Sequence, residues 1–94
     1  MTQPLKGRIA KPDAVMVREI GGESVLLNLG TESYFGLDEV GTRMWSALNE
    51  SPSIEAAFER LLEEFDVAPE ELREDLNAFV LALAEAKLIA VNDA

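Results

Sequence analysis

The chain has 94 residues and a mass of 10.3 kDa, enough for one domain with a single hydrophobic core. It contains no cysteine and no histidine, which excludes thiol nucleophiles, disulfides, imidazole catalysis and Cys/His metal sites. Eight basic against eighteen acidic residues give a net charge of −10, which disfavours binding to nucleic-acid phosphates.

Charge is unevenly distributed along the chain. Residues 1–18 carry four basic residues and one acidic residue (+3), whereas residues 19–94 carry four basic and seventeen acidic residues (−13). Residues 1–13 include Pro4, Gly7 and Pro12 and show no periodicity, which predicts a basic, extended and partly flexible arm. The chain shows neither a signal-peptide core nor eighteen consecutive apolar residues, so we expect a cytoplasmic protein that does not enter a membrane.

Three strands are predicted after the arm. Residues 14–20 alternate Val15 and Val17 with Met16 and Arg18, and Gly21-Gly22 suits a two-residue hairpin turn. Residues 23–29 are rich in aliphatic side chains, and residues 32–37 follow a break at Gly30. The pattern indicates a three-stranded antiparallel meander.

Three helices are predicted next, over residues 39–48, 54–65 and 69–87. Asp38 and Ser53 are expected to cap the first two helices, and Pro69 suits the first position of the third. Each helix carries one apolar stripe, and Trp45 is expected in the core. Residues 88–91 form a short β-prone tail that could close the domain.

The fold class is therefore α+β, with a small antiparallel sheet followed by three helices and a short C-terminal strand. One domain is expected over residues 14–91, with residues 92–94 as a tail.

Three sequence blocks resemble the PqqD-type domain, also called the RiPP recognition element, where RiPP denotes a ribosomally synthesised and post-translationally modified peptide. A first block covers the second and third strands through Val25, Leu27, Leu29, Thr31, Tyr34 and Leu37. A second covers the first helix through Leu37, Val40, Gly41, Trp45 and Leu48. A third lies in and after the last helix at Asp75, Phe79, Leu83 and Leu88, preceded by Phe65-Asp66.

The resemblance implies a winged-helix-turn-helix-like domain that binds the leader of a precursor peptide and presents it to a modifying or cleaving enzyme. The block YFGLDEVG favours the stand-alone proteins of lasso-peptide clusters, whose partner is a transglutaminase-like leader peptidase. The alternative is a peptide chaperone of pyrroloquinoline quinone biosynthesis that serves a radical SAM enzyme, although the LYPE-like sequence expected there is missing.

A binding site is predicted between the third strand and the third helix. The resemblance implies that the leader adds as a strand beside the third strand and touches the third helix, and an unpaired strand edge accepts such an addition. The expected peptide-binding residues are Glu32, Ser33, Tyr34, Phe35, Gly36 and Leu37 on the strand and Leu72, Arg73, Asp75, Leu76, Phe79, Val80 and Leu83 on the helix. Consecutive strand residues point to opposite faces, so only one of Tyr34 and Phe35 can be buried. Phe79 and Leu83 also fit simple core roles, and Asp75 fits a solvated surface.

Two other functional classes are weaker. A winged helix could bind DNA, but its recognition helix would carry Glu70, Glu71, Glu74 and Asp75 in its first turns, where base recognition calls for Arg, Lys, Asn or Gln. An enzyme would have to use exposed carboxylates such as Glu70 and Glu74 without a phosphate-binding loop. We therefore expect a non-catalytic protein without metal or cofactor, present as a monomer or weak homodimer.

Overall fold

A computed structural model of the chain describes residues 7–92. These residues form five strands and three helices in the order β1 (Arg8–Ala10), β2 (Val15–Ile20), β3 (Glu23–Asn28), β4 (Ser33–Leu37), α1 (Glu39–Glu50), α2 (Ile54–Glu64), α3 (Pro69–Glu85) and β5 (Ala90–Asn92). The predicted α+β class, the three-stranded antiparallel sheet and the three helices are confirmed.

The main sheet is an antiparallel meander in the order β2-β3-β4. Gly21 and Gly22 both have positive φ, 61° and 87°, as the two-residue turn between β2 and β3 requires. In the register, Val17 lies opposite Leu26 and Leu26 lies opposite Phe35. Since directly opposed residues share a face, these three side chains belong to one face of the sheet.

The helices begin where the capping residues predict. The backbone N–H of Gly41 donates to Asp38 Oδ1 at 2.8 Å, and the N–H of Ala56 donates to Ser53 Oγ at 3.0 Å. Pro69 occupies the start of α3, where its missing N–H costs nothing. Each cap satisfies a backbone donor that would otherwise lack a partner in the first turn.

The inner face of the sheet packs on the helices and forms the core. A buried hydroxyl pair, Ser24 Oγ and Thr42 Oγ1 at 2.7 Å, joins β3 to α1. Trp45 is buried as expected. The largest fully buried side chains come from the sheet, the helices and the segment after α3: Leu26, Leu61, Leu76, Leu83, Leu88, Val15 and Val80.

The basic arm contributes a strand that the sequence did not predict. β1 pairs antiparallel with β5, from Arg8 opposite Asn92 to Ala10 opposite Ala90. Ile9 packs against the core, and the backbone N–H of Ile54 donates to Gly7 O at 2.8 Å. A single half-buried isoleucine and backbone pairing with a distant strand leave no periodic signal in three residues. The rest of the predicted arm, residues 1–6, and residues 93–94 of the tail lie outside the described part.

Helix α3 ends two residues before the predicted boundary. Lys87 takes a left-handed φ of 62°, its N–H donates to Ala84 O at 3.1 Å, and the N–H of Leu88 donates to Leu83 O at 2.9 Å. This pair of bonds is the Schellman arrangement that closes a helix. Lys87 therefore ends the helix through its backbone, whereas the sequence placed it in the last turn as a favourable charge.

Candidate functional site

Strand β4 has one free edge among the described residues. It lies last in the sheet order and pairs only with β3, so its other side carries unpaired backbone N–H and C=O groups. Such groups accept an added strand. Strand β2, at the opposite end of the order, has a second free edge.

The two aromatic residues of β4 point to opposite faces. Tyr34 is 76% exposed on the outer face, away from the helices, whereas Phe35 is half-buried against the core. Leu37, two residues further along the inner face, is buried. A peptide strand added to β4 would therefore meet the phenol of Tyr34 on one side and the ring of Phe35 on the other.

Glu32 lies in the turn before β4 and not in the strand itself. Its φ is 62°, and its N–H donates to Asn28 O at 2.8 Å, which closes a tight turn. The side-chain Oδ1 of Asn28 accepts from the N–H groups of Gly30 and Thr31 at 2.8 and 3.1 Å. The predicted strand thus starts one residue later, at Ser33.

Four of the predicted site residues on α3 lie in the core. They are Leu72, Leu76, Val80 and Leu83, none more than 2% exposed. The apolar stripe of a helix is buried against its neighbours first, and a groove can use only what the flanks of that stripe leave exposed. The prediction that these four residues line a groove is corrected, because they present no surface to a peptide.

Arg73 and Asp75 lie on different flanks of α3. The guanidinium of Arg73 stands 4.2 Å from the ring centroid of Phe58 and reaches Glu55 at 3.3 Å, so its flank faces α2. Asp75 is exposed and, at 3.6 residues per turn, lies about 200° around the helix from Arg73. Phe79, half-buried one turn after Asp75, lies on the flank of Asp75. The two polar anchors expected in one groove are therefore separated, and Asp75 with Phe79 forms the flank turned away from α2.

A side-chain hydrogen bond connects the end of β3 to the segment that follows α3. Asn28, which lies opposite Ser33 in the register, donates from Nδ2 to the carbonyl of Lys87 at 2.6 Å. Phe35 on β4 and Phe79 on α3 pack against the same core cluster. The candidate site is therefore the free edge of β4 with Tyr34, Phe35 and Gly36, together with the Asp75–Phe79 flank of α3.

The outer face of the sheet carries a feature that sequence reasoning did not assign. One cross-strand row consists of Met16, Leu27 and Tyr34, and the next consists of Arg18, Val25 and Gly36. A cleft of about 430 Å³ opens on this face, lined by Arg18, Ile20, Glu23, Ser24, Val25, Gly36, Leu37 and Asp38. The sequence of residues 15–20 indicates this apolar outer face, because apolar residues occur at both alternating sets of positions and therefore on both faces of the strand.

Ion pairs tie the helices together away from this site. Arg43 on α1 donates to Glu64 on α2 from Nε at 2.8 Å and from the second guanidinium nitrogen at 2.6 Å. These hydrogen bonds lower the pKa of the Glu64 carboxyl and raise the pKa of Arg43.

Within residues 7–92, the acidic side chains form no cluster suited to a metal ion. No helix in the described part is both long and apolar enough to cross a membrane.

Known proteins match this chain by sequence pattern and by structure. The model of the family described as coenzyme PQQ synthesis protein D (PqqD) matches residues 23–89. The solved structure of TbiB1 in complex with the TbiA(β) leader peptide is 40% identical, with a TM-score of 0.78, over 84% of this chain and 92% of that one. Lasso peptide synthetase B1 complexed with the leader peptide shares the fold, with a TM-score of 0.79 over 89% of this chain and 99% of that one, at 19% identity. No curated protein sequence matches the chain.

Proposed function

This chain belongs to the PqqD family, as the blocks in its sequence suggested, and on that premise we propose that it is a RiPP recognition element that binds the leader of a precursor peptide. The observation that carries the proposal is the free edge of β4, and Phe35 on β4 and Phe79 on α3 both pack against the core cluster. The likeness to TbiB1, whose structure holds a leader peptide, supports it at 40% identity.

Binding would work by strand addition. The peptide backbone pairs with the outer side of β4, which provides affinity with little demand on sequence. Alternate peptide side chains then point toward α3, where Phe35 and Phe79 offer ring surface and Asp75 offers a carboxylate. Selectivity for one leader comes from these side-chain contacts.

The lasso-peptide setting is the better supported of two. Both similar solved structures are leader complexes, and one is a lasso peptide synthetase B1. In that setting the partner is a transglutaminase-like leader peptidase. The description of the matching family favours a second candidate, a chaperone in pyrroloquinoline quinone biosynthesis that serves a radical SAM enzyme.

We also propose a winged-helix-like arrangement used for peptide and not for DNA. In such a fold α3 would be the recognition helix, yet Glu70, Glu71, Glu74 and Asp75 are all exposed on its first turns. Four carboxylates facing phosphates would oppose binding. We further propose that the protein acts in the cytoplasm as a monomer or weak homodimer, does no catalysis itself and uses no cofactor.

Titration of the chain with a synthetic leader from the precursor gene beside its own tests the proposal. We expect heat on binding and NMR shift changes at residues 33–37 and around Asp75 and Phe79, with β2 unperturbed. A proline in the middle of the paired leader segment should abolish binding, because it removes a ladder hydrogen bond. Absence of heat, or shift changes confined to β2, would contradict the proposal, and turnover of the peptide by the chain alone would contradict its non-catalytic part.

A further inference from the structure

The free edge of β2 exposes the backbone groups of alternate residues. The N–H of Leu29 donates to Ala14 O at 2.9 Å, so these two residues form a hydrogen-bonded pair of the β2–β3 ladder. Bonded and non-bonded pairs alternate along an antiparallel ladder. The backbone groups that point away from β3 are therefore those of Val15, Val17 and Glu19. These residues are the positions at which another strand could pair with β2.

The first of these positions is already occupied from within the chain. Lys11 Nζ donates to the carbonyl of Val15 at 2.7 Å, and the N–H of Val15 donates to Pro12 O at 3.0 Å. Both edge-facing groups of Val15 thus have partners in the segment before the strand. Lys11 follows β1 directly, and β1 is held by its pairing with β5. A lysine at a sheet edge is one means by which proteins keep that edge from pairing.

A second copy of β2 would fit this edge in a self-complementary register. In a two-fold pair that continues the sheet, opposed residues share a face, so the axis passes through a residue. An axis at Val17 places Val15 opposite Glu19 of the second copy, and every edge-facing backbone group then has a partner. An axis at Met16 also needs Val15, opposite Val17. Because Lys11 holds the carbonyl of Val15, neither register can form in full.

The registers that do not need Val15 bring like charges together. An axis at Arg18 places two guanidinium groups opposite each other in a non-bonded pair, where side chains are closest. An axis at Glu19 does the same for two carboxylates. Like charges directly opposite each other destabilise a sheet. Within residues 7–92, Arg18 forms no ion pair that would offset this repulsion.

We propose that Lys11 and Arg18 together keep the β2 edge from pairing with a second copy of this chain. Lys11 removes the registers that use Val15, and Arg18 opposes the register centred on itself. The proposal gives a role to the described part of the basic arm, which the proposed leader binding does not use. It is independent of leader binding, because self-association is measured without peptide. With β2 protected, strand addition extends the main sheet at β4.

The test uses two variants and two controls. Lys11→Met keeps the length of the side chain and removes its donor, and Arg18→Gln removes the charge from the centre of its register. Lys11→Arg restores a donor. Arg8→Met is the matched control, because Arg8 is exposed on β1 and carries the same charge in the same arm. Each lost cation changes the net charge from −10 to −11, which increases repulsion between copies, so net charge cannot explain tighter association.

Sedimentation equilibrium measures the self-association of each variant. We expect Lys11→Met and Arg18→Gln to dimerise about tenfold more tightly than the wild type, through added ladder hydrogen bonds or lost repulsion. Lys11→Arg and Arg8→Met should behave as the wild type, and circular dichroism should be unchanged in all four. Hydrogen exchange locates the contact, since the amide protons of Val17 and Glu19 should become protected as the concentration of the two self-associating variants rises.

Several outcomes would overturn the inference. Equal dimerisation of the wild type and both variants would remove the role of Lys11 and Arg18, and a change in Arg18→Gln alone would remove that of Lys11. Protection at Tyr34 and Gly36 in place of Val17 and Glu19 would assign self-association to β4. A wild-type dimer paired through β2 would show that the edge is not protected. Failure of the wild type to bind a leader would contradict the proposed function and leave this inference standing.

Discussion

The side-chain amide of Asn28 donates a 2.6 Å hydrogen bond to the backbone carbonyl of Lys87, 59 residues further along the chain. The same side chain accepts from the N–H groups of Gly30 and Thr31 with its oxygen. One buried amide therefore organises the turn into β4 and attaches it to the end of α3. The turn leads into β4 and Lys87 follows α3, so Asn28 links the segments next to the two elements proposed to bind the peptide.

Replacement of Asn28 by Ala should lower the free energy of unfolding by about 2–4 kcal/mol, because three hydrogen bonds worth roughly 1 kcal/mol each are lost and buried backbone groups lose their partners. Urea denaturation measures the change. Asn49→Ala is the matched control, since its amide donates to Trp45 O from an exposed position and should cost less than about 1 kcal/mol. Equal losses for the two variants would show that Asn28 has no special structural role.

Replacement of Lys87 by Gly should stabilise the domain by about 0.5–1 kcal/mol, because a left-handed backbone costs an L-residue roughly 1–2 kcal/mol and the flexibility of Gly in the unfolded chain offsets part of the gain. The bond from Asn28 is preserved because it ends on the backbone carbonyl. Thermal unfolding of Lys87→Gly and Lys87→Ala provides the measurement. The Ala variant keeps the strain, so a rise in Tm for both would assign the effect to the lost charge instead.

Replacement of Phe79 by Ala should weaken leader binding about tenfold, the size expected when an aromatic anchor is truncated at an interface. Arg73→Ala should leave the affinity unchanged, because Arg73 faces α2 through Phe58 and Glu55. Its loss should instead reduce stability by about 1 kcal/mol, from the cation–π contact and the ion pair. Calorimetry with the leader and urea denaturation distinguish the two effects, and the reverse pattern would move the site to the α2 side of α3.

Acidification should remove the contribution of the Arg43–Glu64 pair to stability. Arg43 lowers the pKa of Glu64 in the folded protein below its usual 4.5, so the folded state binds this proton less readily than the unfolded state. The stabilisation is present above that value and is lost as the pH falls through the lowered folded pKa. Tm measured from pH 7 to pH 2 should converge for wild type and Arg43→Met at the acidic end, while a constant difference would exclude this linkage.

Much of the fold could be predicted because its signals are local. The glycine pair of the hairpin, the caps at Asp38 and Ser53 and the proline at the start of α3 each act within a few residues. Helix periodicity found the buried stripe of α3 for the same reason. The strand β1 could not be predicted in this way, since its partner lies at the other end of the described chain.

The candidate site was predicted less well than the fold. The free edge of β4 could be predicted because a meander must end in an edge, whereas the α3 residues were chosen from the apolar stripe, which the core occupies. Helical geometry alone could have separated Arg73 from Asp75, because two residues two positions apart cannot share a flank. The outer face escaped notice because exposure of Val25 and Met16 depends on which side of the sheet the helices cover.

The pairing of β1 with β5 also bears on how the domain opens. The meander is built within residues 15–37, so its contacts close short loops, whereas Arg8 and Asn92 meet only after almost the whole described chain has been arranged. We expect this long loop to close late in folding. The pairing of β1 with β5 is supported by little buried surface, because each strand has three residues and all of them are exposed or half-buried. The amide protons of β1 and β5 should therefore exchange with solvent well before those of β3. In that case the β1–β5 pair is the first part of the described domain to unfold and the last to form.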